Sequence, residues 1–357
     1  TAFPIPKHVV ERYGKDWVKP GHLVSNGAYK LVEWLPQTHI KAVKNEWFYD
    51  ADHVAIDTVF YYPTEDRSAA LKRFRAGELD LNYEFPIDQY DWLRENMPEE
   101  TVVSPQLGVY YYPLNLRNPK FQDVRVRKAL ALSVDREKLV RTVLQETAVP
   151  AYSITPPDTL GYYPPKLYDY DPEQARVLLA EAGYPNGEGW PGLEILYNTN
   201  EGHRKIAVAI QQMWKSELGI DITITNQEWK VYLDSVTQVD FQIARRGWIG
   251  DYVDANNFLD LFITDGGNNN TYYSDPVYDD LILYKAPKAA TREERYALFT
   301  EAETMLMEEM PIIPIYTYTS KHLIHPSVEG LHSNLMDSLN LKYVKLVPGR
   351  TLPEALR

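Results

Sequence analysis

Between Leu193 and Phe258 the hydrophobic pattern runs strand, helix, strand, helix, strand, and no other stretch restricts the fold as much. Leu193–Tyr197, Ile220–Thr225 and Phe241–Ala244 are apolar runs of strand length. His203–Leu218 carries Ile206, Ile210, Met213 and Trp214 at helical spacing, and Val231–Val236 reads as a shorter helix. A β-α-β-α-β order implies a parallel sheet with right-handed crossovers. In such a sheet, ligands bind beyond the carboxyl ends of the strands.

Three polar loops fall at that edge. They are Asn198-Thr-Asn-Glu-Gly-His203, Asn226-Gln-Glu-Trp229 and Arg245-Arg-Gly-Trp-Ile-Gly-Asp251. The third carries the most chemistry. Arg245 offers a carboxylate a fork of two hydrogen bonds, Asp251 offers a partner to an ammonium, and Gly247 lets another backbone come close. A molecule with an ammonium at one end, a carboxylate at the other and amides between them is a short peptide. The alternative for the same residues is a structural Arg–Asp ion pair closing a loop. Trp229 and Trp248 read as pocket walls or as core aromatics. His203, at a helix start where positive charge is disfavoured, is a cap, a packing residue or a contact to a ligand carboxylate. Asn198 is equally open between structure and ligand.

Arg245 and Asp251 lie six residues apart, about 20 Å along a straight strand. A tripeptide spans about 10 Å. Either the chain bends at Gly247 or Gly250, or Arg245 serves longer ligands.

Composition narrows the classes. A chain of 357 residues exceeds one small core, so two lobes are expected. A net charge of −13 with a pI near 5.2 argues against nucleic-acid binding. No apolar run approaches the roughly 18 residues that span a bilayer. The absence of cysteine excludes thiol catalysis, disulfides and Cys-ligated metals. The 27 tyrosines suit either polar, variable ligands or simply tyrosine-rich strands. No G-x-S-x-G, H-E-x-x-H, P-loop or G-x-G-x-x-G motif is present, and no cofactor or metal site is expected. His322-Leu-Ile-His325 shows no acidic helper beside it. A paired-carboxylate hydrolase stays open, because 50 acidic residues always offer pairs.

Elsewhere, Tyr29–Trp34 and Ile40–Val43 read as a hairpin. Val54–Tyr61, the helix Arg67–Ala76 stopped by Gly77 and Leu79–Tyr83 read as a βαβ unit. Ile87–Met97 is a short helix and Val109–Pro113 a strand. Asp123 is an N-cap, with Arg125, Arg127 and Lys128 on a solvated face. Residues 151–171 form a long irregular segment, and Asp171-Pro172 opens the next helix. Helices follow near Pro276–Leu283 and from the capping box Thr291-Arg-Glu-Glu294, and then comes the strand Ile312–Tyr318. The opening residues 1–7 hold neither a signal peptide nor an obvious first strand.

Five motifs in order resemble the oligopeptide-binding proteins, the periplasmic receptors of peptide ABC importers. They are Asn26-Gly-Ala-Tyr-Lys30, Arg75-Ala-Gly-Glu-Leu-Asp80, Phe121-x-Asp-Val-Arg-Val-Arg-Lys-Ala-Leu130, Ala180-Glu-Ala-Gly-Tyr184 and Arg245-x-Gly-Trp-x-x-Asp-Tyr252. The resemblance implies an α/β, periplasmic-binding-protein-like fold with parallel-rich mixed sheets and two lobes that close by a hinge, near residues 106–110 and 317–321, over an extended peptide. It implies residues 1–107 as the remainder of lobe one, 108–318 as the second lobe and 319–357 as a return segment. The family's N-terminal portion, with the first strands of lobe one and a small extra domain, would precede this chain.

By the same resemblance Asp251 anchors the peptide ammonium, and Gly247 and Ile249 pair with the peptide main chain. Arg245 and His203 meet the carboxylate of ligands of suitable length. Trp229 and Trp248 wall side-chain pockets, with Tyr83, Tyr111 and Tyr316 nearby. Some relatives carry a basic pair where this chain has Val236 and Thr237, which leaves ligand length and type open. The implied protein is a periplasmic, monomeric, non-enzymatic receptor whose partners are short peptides and the membrane permease subunits of an ABC importer. The alternative is a receptor of the same fold for a glycan fragment, murein peptide, metal chelate or opine.

Overall fold

The computed structural model describes residues 4–348. Residues 1–3, at the head of the opening segment, and residues 349–357, at the end of the return segment, lie outside the described residues. The chain divides into two compact units, Thr1–Ser104 with Ser320–Arg357, and Pro105–Thr319.

The first unit starts with the helix α1 (Lys7–Tyr13) and the antiparallel hairpin of β1 (Tyr29–Leu35) and β2 (His39–Lys44), on which β3 (Thr58–Tyr61) pairs antiparallel. The helix α2 (Arg67–Arg75) begins at Asp66, whose carboxylate accepts from the Ser68 and Ala69 amides. It stops where Gly77 takes φ of 76°, a left-handed position open to glycine at little cost. After β4 (Leu81–Asn82) and α3 (Tyr90–Asn96), the strand β5 (Thr101–Pro113) carries the chain into the second unit. Leu71, Phe74, Phe85, Leu93, Met97 and Leu323 make the apolar core here.

In the second unit, α4 (Val124–Leu132) is capped by Asp123 and followed by α5 (Arg136–Thr142) and β6 (Val149–Pro150). Residues 151–171 form no helix or named strand. They are fastened instead by Glu303, whose buried carboxylate accepts from the Ser153 hydroxyl at 2.7 Å, the Thr155 amide at 2.9 Å and the Tyr162 hydroxyl at 2.8 Å. Asp171 then caps α6 (Pro172–Glu181). The parallel sheet follows as β7 (Leu193–Asn198), α7 (Glu201–Leu218), β8 (Ile222–Gln227), α8 (Trp229–Thr237) and β9 (Ile243–Ala244), in the order β8-β7-β9. Trp214 of α7 is fully buried and donates its indole N–H to the Leu130 carbonyl at 2.9 Å.

The chain does not loop after β9. One residue later it enters β10 (Arg246–Ile249), which pairs antiparallel with β5. After α9 (Asn256–Leu259), α10 (Pro276–Asp280) and α11 (Arg292–Glu309), the long strand β11 (Ile312–Ile324) lies beside β5 and also receives β6. Thr291 caps α11 by accepting from the Glu294 amide, and the Glu294 carboxylate reaches back to the Ala290 amide.

In the first unit, the end of β11 pairs antiparallel with β4, and the return segment adds β12 (Val328–Glu329) and β13 (Lys345–Leu346). This overturns the expected βαβ unit. β3 lies against β2 and β4 against β11, both antiparallel and in different sheets. A strand-helix-strand sequence order does not oblige the two strands to share a sheet when each finds another partner. The expected solvated face of α4 is corrected as well. Arg127 is 4% exposed and donates to the Phe121, Gln122 and Glu309 carbonyls and to the Glu309 carboxylate.

Burial raises the Glu303 pKa, against the hydrogen bonds that favour its charged form. A carboxyl whose folded pKa is raised contributes stability at low pH, and that contribution is lost as pH rises through the folded value. Two outcomes follow for urea unfolding. Glu303→Ala should cost about 2–4 kcal/mol, the scale of orphaning several buried donors. The stability advantage of the native chain over Glu303→Gln should shrink as pH rises from the acidic range to neutral. An advantage that grows with pH would contradict the assignment.

Candidate functional site

Arg245 sits where the chain leaves the parallel sheet and joins the antiparallel one. Its amide donates to the Leu196 carbonyl at 2.7 Å, and its carbonyl accepts from the Tyr232 hydroxyl. Its side chain stands among tyrosines. The guanidinium lies 4.9 Å from the centre of the Tyr110 ring, donates to the Tyr318 hydroxyl at 2.8 Å and makes a long contact of 3.4 Å to Asn198 Oδ1. Nε is buried without a hydrogen-bond partner. Burial works against the Arg245 charge, but Tyr318, Tyr110, Tyr316 and Tyr232 together outweigh it and hold its pKa above the ordinary arginine value. Among the described residues no carboxylate forms an ion pair with Arg245, so the Arg–Asp pair considered for this stretch does not form.

The helices α7 and α8 begin beside this point, as the parallel register requires. Asn198 pairs with Gln227, and Leu196 with Ala244. Two helix N-termini therefore lie at the strand ends where Arg245 projects, and each favours negative charge. The His203 ring, in the first turn of α7, lies 5.6 Å from Tyr110, and Tyr316 stacks on Tyr110 at 4.7 Å. Trp229, at the start of α8, is half exposed and stacks at 6.0 Å on the buried Tyr232.

From Arg246 to Ile249 the ladder settles which atoms face where. The Gly250 amide donates to the Leu107 carbonyl at 2.8 Å, continuing a register in which Ile249 faces Gly108 and Trp248 faces Val109. Hydrogen-bonded and non-hydrogen-bonded pairs alternate in antiparallel strands. The backbone groups of Arg246 and Trp248 therefore turn toward β5, and those of Gly247 and Ile249 turn outward. β10 is the last strand on its side of the sheet. Gly247 has a packing reason as well. A Cβ there would stand 2.4 Å from the Tyr318 hydroxyl oxygen, so glycine admits a tyrosine rather than a second backbone.

Asp251 follows at an exposed bend, with its amide held by Asn257 Oδ1 at 2.9 Å. The same oxygen accepts from the Trp248 indole at 3.0 Å. Asn257 thus fixes both Trp248 and the Asp251 backbone, a role the sequence signals only as one of two adjacent asparagines. The bend is closed further on by Arg295, which grips Asp254 through two nitrogens at 2.5 and 3.0 Å. Asp260 stands near enough to Asp251 that burial, with the Asp251 charge, raises its pKa.

The structure thus gathers Arg245, Gly247, Trp248, Ile249, His203, Asn198 and Tyr316 around β10 and its flanks, with Trp229 at the head of α8 and Asp251 just past the strand. Tyr111 is placed differently. It is buried, faces Arg246 across the ladder and meets Phe262 edge-on, whereas its neighbour Tyr110 meets Arg245. Tyr83 belongs to the first unit. It is exposed there, and its ring and carbonyl meet His322. His322 does have an acidic partner after all, Asp337 at 2.7 Å from Nε2, supplied by the return segment. Among the described residues no cluster has the makings of a metal site, and no described helix is long and apolar enough to cross a membrane.

Gly247→Ala should displace Tyr318 and free one Arg245 nitrogen. The expected loss is about 1–3 kcal/mol of stability, the usual cost of overpacking, read by urea unfolding. A variant as stable as the native chain would contradict the packing role of Gly247.

Residues 1–270 match the family model described as bacterial extracellular solute-binding proteins, family 5 middle. The periplasmic oligopeptide-binding protein OppA of Salmonella typhimurium is 37% identical over 352 residues, which is 97% of this chain and 64% of that protein. The chain therefore spans less than two thirds of the length of this curated relative. Among solved structures, the murein tripeptide-binding protein MppA of Escherichia coli matches with a TM-score of 0.89 at 37% identity, covering 96% of this chain and 68% of that one. OppA of Haemophilus influenzae in complex with RPPGFSPFR matches with a TM-score of 0.86 at 34% identity, covering 96% and 69%.

Proposed function

Because the chain belongs to the bacterial extracellular solute-binding proteins of family 5, we propose that it serves a receptor for short peptides, held in extended form along the open edge of β10. The observation that carries this reading is the order of groups along that edge. An exposed carboxylate, Asp251, stands at one end, and the guanidinium of Arg245 at the other. Between them Gly247 and Ile249 turn their backbone donors and acceptors outward. A peptide laid antiparallel to β10 brings its ammonium to Asp251 and its amides to Gly247 and Ile249. For a ligand of suitable length the carboxylate reaches Arg245, with His203 and Asn198 beside it.

Main-chain pairing of this kind is indifferent to side chains, so one receptor accepts many sequences. Trp229 and Trp248 would wall the side-chain space, with Tyr110, Tyr316 and Tyr318 behind Arg245 and Tyr111 beside Arg246. The peptide is bound and released without turnover. In this reading the protein works as a monomer in the periplasm and delivers its ligand to the permease subunits of an ABC importer. Relatives named for oligopeptides and for murein peptides support a peptide-like ligand without choosing between those two.

The test is calorimetry with short alanine peptides. Asp251→Ala should weaken binding by about 2–5 kcal/mol, the cost of leaving an ammonium unpaired, and N-acetylation of the peptide should cost the native chain a similar amount. Unchanged affinity in both experiments would remove Asp251 as the anchor. Turnover of the peptide on prolonged incubation would favour a hydrolase instead.

A further inference from the structure

We infer that Arg246 is the charged end of a side-chain subsite on the Trp248 face of β10, and that this subsite selects ligands with an acidic side chain. The inference rests on the reading of β10 as the ligand-pairing edge.

Side chains alternate across a strand. Arg245, Gly247 and Ile249 share one face of the segment, and Arg246 and Trp248 share the other. On that second face Arg246 stands opposite Tyr111, and its guanidinium meets the Tyr111 hydroxyl. That phenol is buried, and burial pushes its pKa up, so it stays neutral and leaves the guanidinium charge uncompensated. Arg246 Nε is buried with no hydrogen-bond partner. Among the described residues no carboxylate forms an ion pair with Arg246.

Apart from Arg245, enclosed arginines of this unit such as Arg127, Arg136 and Arg295 find acceptors within the protein. Arg127 and Arg136 donate to backbone carbonyls, three each, and Arg295 grips Asp254. Arg246 is a half-buried cation with five donors and a single described acceptor, on the strand that a ligand would pair with. In a protein of net charge −13 a general attraction for anions is not the explanation.

The ligand class follows from geometry. Residues directly opposite in a ladder project to the same face. A ligand strand on the outer edge of β10 would therefore send alternate side chains to the Trp248 face. The stem of a Glu or Asp side chain would lie along the indole, and its planar carboxylate would meet the Arg246 fork. The remaining ligand side chains would face the Ile249 side, where Arg246 has no reach.

The test compares alanine peptides carrying a single Glu with the same peptides carrying Gln, scanned position by position, by calorimetry on the 357-residue chain. At positions of one parity Glu should bind about tenfold more tightly than Gln. Arg246→Gln should abolish that ratio while binding of the all-alanine peptide stays within about twofold, and Arg246→Lys should restore part of the ratio. Equal affinity for Glu and Gln at every position, or a preference that survives in Arg246→Gln, overturns the subsite. If no alanine peptide binds the native chain, the reading of β10 as the ligand edge falls, and this inference falls with it.

Discussion

The antiparallel pairing of Arg246–Ile249 with Gly108–Tyr111 decides which backbone groups of β10 turn outward, to the edge where the proposed ligand would pair. The chain arrives from a parallel strand, Ile243–Ala244, and changes sheets across one residue, Arg245. The new ladder ties down the backbone of every second residue and leaves the alternate ones outward. A register slip of one residue would exchange them, turning the Gly247 and Ile249 groups inward and both arginines to the wrong faces. The Gly250–Leu107 hydrogen bond at one end and the Arg245–Leu196 bond at the other hold that register, and Gly247 beneath Tyr318 keeps the sheet closed over Arg245.

Charge is arranged along the same line. Asp251, with Asp260 behind it, makes one end of β10 negative. Arg245 and Arg246, with the N-termini of two helices near the first of them, make the other end positive. Neither arginine is neutralised by a described carboxylate. Tyrosine hydroxyls and ring faces take that place around Arg245, which keeps the guanidinium oriented without discharging it. An arginine held this way stays available to an outside anion, whereas one paired like Arg295 with Asp254 does not.

Much of this was legible in the residues. The helical spacing of Ile206, Ile210 and Trp214, and strands of the right length on either side, read directly as the parallel sheet. The N-caps Asp123, Asp171 and Thr291 hold because their side chains act on amides within one turn, where no distant partner competes. Failures came where a distant partner decided. Nothing near Arg246–Ile249 announces a strand, because its partner lies some 140 residues earlier in the chain. Nothing near Leu81 announces that it pairs with Ile324 rather than sharing a sheet with β3. Arg127 read as a surface cation until the carbonyls of Phe121 and Glu309 were placed around it. Three consecutive tyrosines at 110–112 have no phase of their own, so Tyr110 rather than Tyr111 emerges beside Arg245 only from the register with Gly247. Asn257 and the His322–Asp337 pair were hidden for the same reason.

The central claim is that Gly247 and Ile249 present their backbone to the ligand, and amide hydrogen exchange tests it residue by residue. On adding a short peptide with free termini, the Gly247 and Ile249 amides should slow markedly, on the order of a hundredfold or more for a strand-paired amide. The Trp248 amide, already turned toward β5, should change far less. Equal protection of all three, or no slowing at Gly247 and Ile249 with peptide bound, would contradict the account.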